Sequence, residues 1–130
     1  SIMTLYTHTQ HAQIGTYGHY LLAYFDIFAR DLERFNDLYK RLNINPLGAG
    51  AIGGSSFDIN REKTSSLLGF DGIVENSIDA VSSRDVFLEI GSNLAILMSN
   101  VSRLAEDIIL WSSSEFGFLE ICFFQQKIKK

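Results

Sequence analysis

Between Phe87 and Trp111 an apolar residue returns at every third or fourth position: Phe87, Ile90, Leu94, Leu97, Val101, Leu104, Ile108 and Trp111. This is a heptad seam, the spacing that keeps one face of a helix against a neighbouring helix. A second seam runs beside it through Leu88, Gly91, Ala95, Met98, Ser102, Ala105 and Ile109. Its residues are mostly small, so another helix can approach closely. Polar residues gather at Ser92, Asn93, Ser99, Asn100, Glu106 and Asp107. A helix that is apolar over most of its circumference is buried on several sides. Unbroken from Ser83 to Ser112 it would be about 45 Å long. A compact domain of 130 residues has a radius of gyration of only about 14 Å. Such a helix is too long for an isolated globule and too apolar to project into water. The expectation is an obligate helical oligomer. Asn100, Arg103, Glu106 and Asp107 interrupt the run, which excludes a membrane span.

A second helical pattern precedes it. Leu21, Phe25, Phe28, Leu32, Phe35, Tyr39 and Leu42 form one stripe, and Asn43, Asn45 and Pro46 end it. A glycine-rich loop follows, then a short helix over Arg61–Leu68, with Asn60 as N-cap and Gly69 as its stop. Ser82 and Asp85 make a weak capping-box pair ahead of the long helix. No strand pattern competes, so an all-α long-helix bundle is expected, in one domain with 46% hydrophobic residues. The net charge of −4 speaks against a nucleic-acid partner. A lone cysteine, Cys122, and the lack of a basic stretch followed by an apolar run point to a cytoplasmic location. The chain opens on Ser1 rather than Met, as a piece of a longer polypeptide does.

Three segments invite chemistry. YTHTQHAQ, residues 6–13, places His8 and His11 three apart, one helical face if the segment is helical. Zinc wants three or four ligands and none of the others is at ligand spacing, so no metal is expected. On its own His8 reads as a solvated or hydrogen-bonded residue. GAGAIG, residues 48–53, matches the dinucleotide-loop spacing but lacks the strand and helix that motif needs. A glycine-rich connection is the better reading. ENSIDAVSSRD, residues 75–85, is dense in polar side chains. Caps explain much of it, and a polar run beside a buried bundle also suits a polar ligand.

Taken together, YTHTQHAQ, GHYLLAY, RDLERF, PLGAGAIGG, LLGFDGIVENSIDAVSSRD and SRLAEDIILWSSSEFGF resemble the argininosuccinate lyase family of the fumarase/aspartase superfamily, over about residues 3–120. The resemblance implies a central-domain helical bundle over residues 1–120 that assembles as a homotetramer, with each site where three chains meet. It implies cleavage of argininosuccinate to arginine and fumarate by β-elimination, without a cofactor. His8 matches the family's proton-transfer histidine and Thr7 its substrate-binding threonine. Gln10 is assigned to substrate binding, and Gln13 to support of the site. Asn76, Ser77, Asp79, Ser83, Arg84 and Asp85 match words read as structural or supporting. His11 receives no catalytic role.

Departures are as informative. Thr4 and Leu5 replace a usual Pro-Gly, Thr9 replaces Leu, and Ile14-Gly15 stands where Pro-Ile or Pro-Val is usual. The family's serine-bearing loop, S-S-x-M-P-x-K-x-N-P, and its S-R-N-D-Q segment have no match, and residues 121–130 read as a divergent tail. The chain by itself is therefore expected to be inactive. Two alternatives stand beside this reading: a non-enzymatic, crystallin-like scaffold, and another fumarate-forming lyase of the superfamily.

Overall fold

A computed structural model describes residues 1–120. The divergent tail, 121–130, and Cys122 within it lie outside the described residues. In chain order the elements are β1 (Ile2–Thr7), β2 (Gln10–Thr16), α1 (Tyr17–Leu42), β3 (Ile44–Asn45), α2 (Arg61–Leu68), β4 (Gly72–Ile73), α3 (Ser77–Ser82) and α4 (Asp85–Ser112). The fold is mostly helical, as expected. The expectation of no strands is corrected at the start of the chain, where β1 and β2 pair as an antiparallel hairpin. Its turn, His8-Thr9, lacks the Asn-Gly signature by which a two-residue hairpin loop is usually read. A second, two-residue parallel pairing joins β3 to β4.

The helices start and stop for local reasons. Thr16 caps α1 by accepting the His19 amide at 3.1 Å, and Lys40 and Arg41 lie in its last turn, where cations favour the helix dipole. Asn60 caps α2 and Gly69 ends it at φ 80°, both as anticipated. The Ser82–Asp85 capping box does not form. Ser82 belongs to α3, whereas Asp85 opens α4 and accepts a hydrogen bond from the Ser83 hydroxyl. That bond holds the Asp85 carboxyl below the usual carboxylate range. α4 thus starts two residues later than expected. None of the described helices is long and apolar enough to cross a membrane.

α1 and α4 pack antiparallel, and the contact is a ladder of polar rungs. Tyr20 and Tyr24 both donate to Asp107 Oδ2, at 2.6 and 3.2 Å. Asn100 donates to Asp31 Oδ2 at 2.9 Å, and Arg34 closes on Asp31 Oδ1 at 2.7 Å. Asn93 reaches the Arg34 carbonyl at 3.4 Å. Arg41 grips Glu89 with both forks of its guanidinium, which draws the Glu89 carboxyl below its usual range. On α1 the buried residues are Tyr24, Asp31 and Leu38, seven apart. The face that meets α4 is therefore the row beside the apolar stripe, not the stripe itself. Much of the seams stays outside, with Phe25 68% exposed, Phe87 65% and Leu88 71%, whereas Leu97, Val101 and Leu104 are half-buried and Trp111 is buried.

The loop region folds against α2. Asn45 is fully buried; its Oδ1 accepts the Leu47 amide at 3.0 Å and its carbonyl accepts the Val74 amide at 2.9 Å. Its Nδ2 finds no acceptor among the described residues.

Two expected outcomes follow from the rungs. Asp31 is only 3% exposed, so Asp31→Ala leaves the Asn100 amide and the Arg34 guanidinium without their acceptor. A loss of about 2 kcal/mol in urea unfolding is expected, and Asn100→Ala should cost less because Arg34 keeps Asp31 paired. Tyr20 is held well above its ordinary value, chiefly by burial and next by the bond to Asp107. The unfolded chain gives up that proton first, near pH ~10. Stability is thus full below that pH and falls as pH rises beyond it. In thermal unfolding across pH 8–11 (about the phenol range), Tyr20→Phe is expected to flatten the alkaline decline.

Candidate active site

The hairpin tip carries the residues singled out for chemistry. Thr7 and Gln10 face each other across the turn, and His8 and Thr9 occupy it with φ of 52° and 60°. Two successive residues at positive φ are what a tight primed turn requires, and glycine or asparagine normally supplies them. A β-branched residue there is strained. The Thr9 hydroxyl donates to the His8 carbonyl at 2.6 Å and so braces the turn. Thr7, His8, Gln10 and Gln13 are all exposed. No hydrogen bond to the His8 ring forms among the described residues, so the imidazole stands open to whatever approaches the tip.

The rest of the hairpin is shaped to hold that tip. Pairing runs Leu5 with Gln13 and Tyr6 with His11, so Ala12 is an extra residue in β2. This bulge resets the alternation of faces between Gln13 and His11. The one-face reading of His8 and His11 is corrected accordingly: one sits in a turn, the other in a strand. His11 packs edge-on against Tyr6, with ring centroids 5.0 Å apart. Phe116 and Phe118 close on Tyr6 from the opposite end of the chain, at 4.9 and 5.9 Å. They are carried there because the Phe118 and Leu119 amides both bond back to the Trp111 carbonyl. Sequence reasoning assigned these phenylalanines no part; the only signal was a Phe-Gly-Phe, residues 116–118, a few residues beyond the long helix. Behind the hairpin lies a mostly apolar cleft of about 700 Å³ lined by Met3, Tyr17 and Trp111, among others. None of the expected site residues lines it.

The second polar group lies at the far end of α1. The Asn76 side chain accepts from the Ile78 and Asp79 amides, at 2.9 and 3.2 Å, and caps α3. The Arg84 guanidinium donates to the carbonyls of Val81 and Ser83, at 3.0 and 2.7 Å. Asp79, Ser83 and Asp85 border a cleft of about 630 Å³, with Lys40 and Arg41 also on its wall. Ser77 is half-buried at the start of α3. Between the two groups runs α1, whose 26 residues span about 39 Å. Within one chain the hairpin tip and the Asn76–Asp85 segment cannot touch one small ligand.

The glycine loop is not a phosphate cradle. β3 precedes it, but α2 does not begin until Arg61, so no helix N-terminus follows the glycines. Among the described residues, no group of three or more His, Cys, Asp or Glu is placed to hold a metal ion.

A family model described as Lyase matches residues 1–128. The argininosuccinate lyase of Methanothrix thermoacetophila is 60% identical over 116 residues, 89% of this chain and 24% of the relative. That of Nitrosopumilus maritimus is 52% identical over 121 residues, 93% of this chain and 25% of the relative. Among solved structures, EDDS lyase in complex with formate superposes with a TM-score of 0.88 at 44% identity, covering 93% of this chain and 24% of that one. An EDDS lyase variant with bound fumarate gives 0.85 at 45% identity, over 89% and 23%. The chain spans about a quarter of the length of the curated relatives it matches.

The strained turn yields a direct test. Thr9→Gly removes a side chain from a left-handed position, and a gain of about 1 kcal/mol in thermal or urea unfolding is expected. A loss instead would mean that the Thr9 brace outweighs the strain.

Proposed function

The chain belongs to the lyase family, and on that premise we propose that it supplies the proton-transfer hairpin of an argininosuccinate lyase centre. The observation that carries this reading is the tip itself. A threonine hydroxyl, an imidazole and a glutamine amide lie on a strained, exposed turn clamped by aromatic rings. Backbone strain of this kind is retained where a side chain must be presented in one direction. That the relatives are argininosuccinate lyases supports the substrate, and the formate and fumarate bound in the EDDS lyase structures support recognition of a carboxylate.

The reaction is a β-elimination. A base takes the proton from the carbon beside a carboxylate, the C–N bond to the guanidino group breaks, and that nitrogen takes up a proton. Fumarate and arginine leave. Negative charge builds on the carboxylate as the proton departs, so hydrogen-bond donors must already face it. Thr7 and Gln10 are assigned that role, and Gln13 steadies the hairpin that carries them. His8 is assigned the proton transfer. No cofactor is needed.

Assembly completes the site. Burying an exposed Phe or Leu side chain is worth about 1.5–3 kcal/mol, and the seams of α1 and α4 expose many. A cytoplasmic homo-oligomer, a tetramer in this reading, covers them. It also brings the hairpin of one chain to the Asn76–Asp85 segment of another, with Asn76, Ser77, Asp79, Arg84 and Asp85 in supporting positions. Similarity to EDDS lyase favours one second reading, another fumarate-forming lyase on the same scaffold.

The test grafts residues 1–120 of this chain into the matching stretch of the Methanothrix relative and follows fumarate release from argininosuccinate and from other N-substituted succinates. Argininosuccinate should be the best substrate. His8→Ala in the graft should lower kcat by about 10²–10⁴ with the oligomer intact. Full activity without His8 would sink the assignment, and preference for another succinate would favour the second reading. The chain alone should give no turnover.

A further inference from the structure

Arg61 opens α2, yet its side chain serves two other segments. Nε donates to the Leu47 carbonyl at 3.0 Å and Nη2 to the Val74 carbonyl at 2.8 Å, while Nη1 reaches toward the Glu75 carbonyl at 3.5 Å. Leu47 begins the glycine loop, and Val74 and Glu75 lead directly into Asn76. The β3–β4 ladder joins the roots of these two segments at Ile44–Gly72 and Asn45–Ile73, and the Val74 amide adds one bond to Asn45. Past that point, among the described residues, the bridge between them runs through the Arg61 fork. The loop is built around its stem: a Cβ at Gly48 would stand 2.8 Å from Arg61 Cγ, and Gly48 has φ 85°. One turn on, Ser65 donates to the Gly72 carbonyl at 2.7 Å, so this face of α2 grips the same strand twice.

We propose that Arg61 is a positioning residue that locks the glycine loop and the Val74–Asp79 segment into one unit, and thereby sets where Asn76, Ser77 and Asp79 stand. A planar fork that spans carbonyls from separate segments is a job an ammonium cannot do. The meaning of this unit for substrate rests on the lyase reading; the mechanical link does not.

Residue-resolved amide hydrogen exchange on the whole chain tests it. Leu47 and Gly54 report the loop; Val74, Ile78 and Asp79 report the polar segment, since each of these amides is hydrogen-bonded. In Arg61→Ala both sets should exchange about tenfold faster, while amides of α1 and α4 keep their rates. Arg61→Lys keeps the stem beside Gly48 and should restore at most one of the two sets. Equal acceleration everywhere would make Arg61 a general stabiliser and overturn the proposal, as would a response in one set alone or full rescue by lysine. Loss of the lyase activity proposed for the grafted enzyme would leave these rates unchanged, so the two ideas fail separately.

Discussion

The rungs between α1 and α4 are the constraint on which the rest of the chain depends. Two helices of this length have no small globule to wrap around, and their contact is pinned by Tyr20, Tyr24, Asp31, Asn93, Asn100 and Asp107, with Leu38 and Trp111 buried beside them. Directional bonds of this kind set register as greasy contacts do not: shifting one helix by a turn would strand Asp31 against hydrocarbon and leave Asn100 without an acceptor. Spending polar residues inside the pair leaves part of the apolar rows, Phe25, Phe87 and Leu88 among them, facing out. The pair therefore has a fixed register within and exposed apolar residues without.

That register places the two ends. At one, Tyr20 and Trp111 meet edge-on, with centroids 4.6 Å apart, near the base of the hairpin, and Phe116 and Phe118 fold back to wedge Tyr6. At the other, Arg41 ties α1 to the first turns of α4, and the loop, α2 and α3 gather around the junction. The candidate site residues are kept at the ends and off the rod between them. A site that needs both ends has to recruit them from different chains, which is the geometric content of the lyase reading.

Legibility in the sequence tracked the range of the forces involved. The α2 boundaries were readable to the residue because an Asn cap and a left-handed Gly are local devices. The two long helices were readable because their period is repeated many times. The hairpin was not, because its turn holds His-Thr in place of the usual signal and a bulge at Ala12 breaks the alternation. Nor was the buried face of α1 readable: Tyr24, Asp31 and Leu38 form a row less apolar than the stripe beside it, and only the partners on α4 show why it is the one buried. For the candidate site, the identity of Thr7, His8 and Gln10 came from resemblance in wording. Their presentation on a strained tip, and the wedge of Phe116 and Phe118 behind them, came from contacts about 110 residues apart in the chain.

By itself the sequence determined the two long helices, the α2 helix with its cap and stop, and the apolar seams, because periodicity and capping act over a few residues. The tertiary structure alone decided which rows face inward, where the hairpin turns, and that the two polar groups stand a helix length apart. Those outcomes hang on pairings between distant residues, and a one-dimensional pattern does not carry the partner's position.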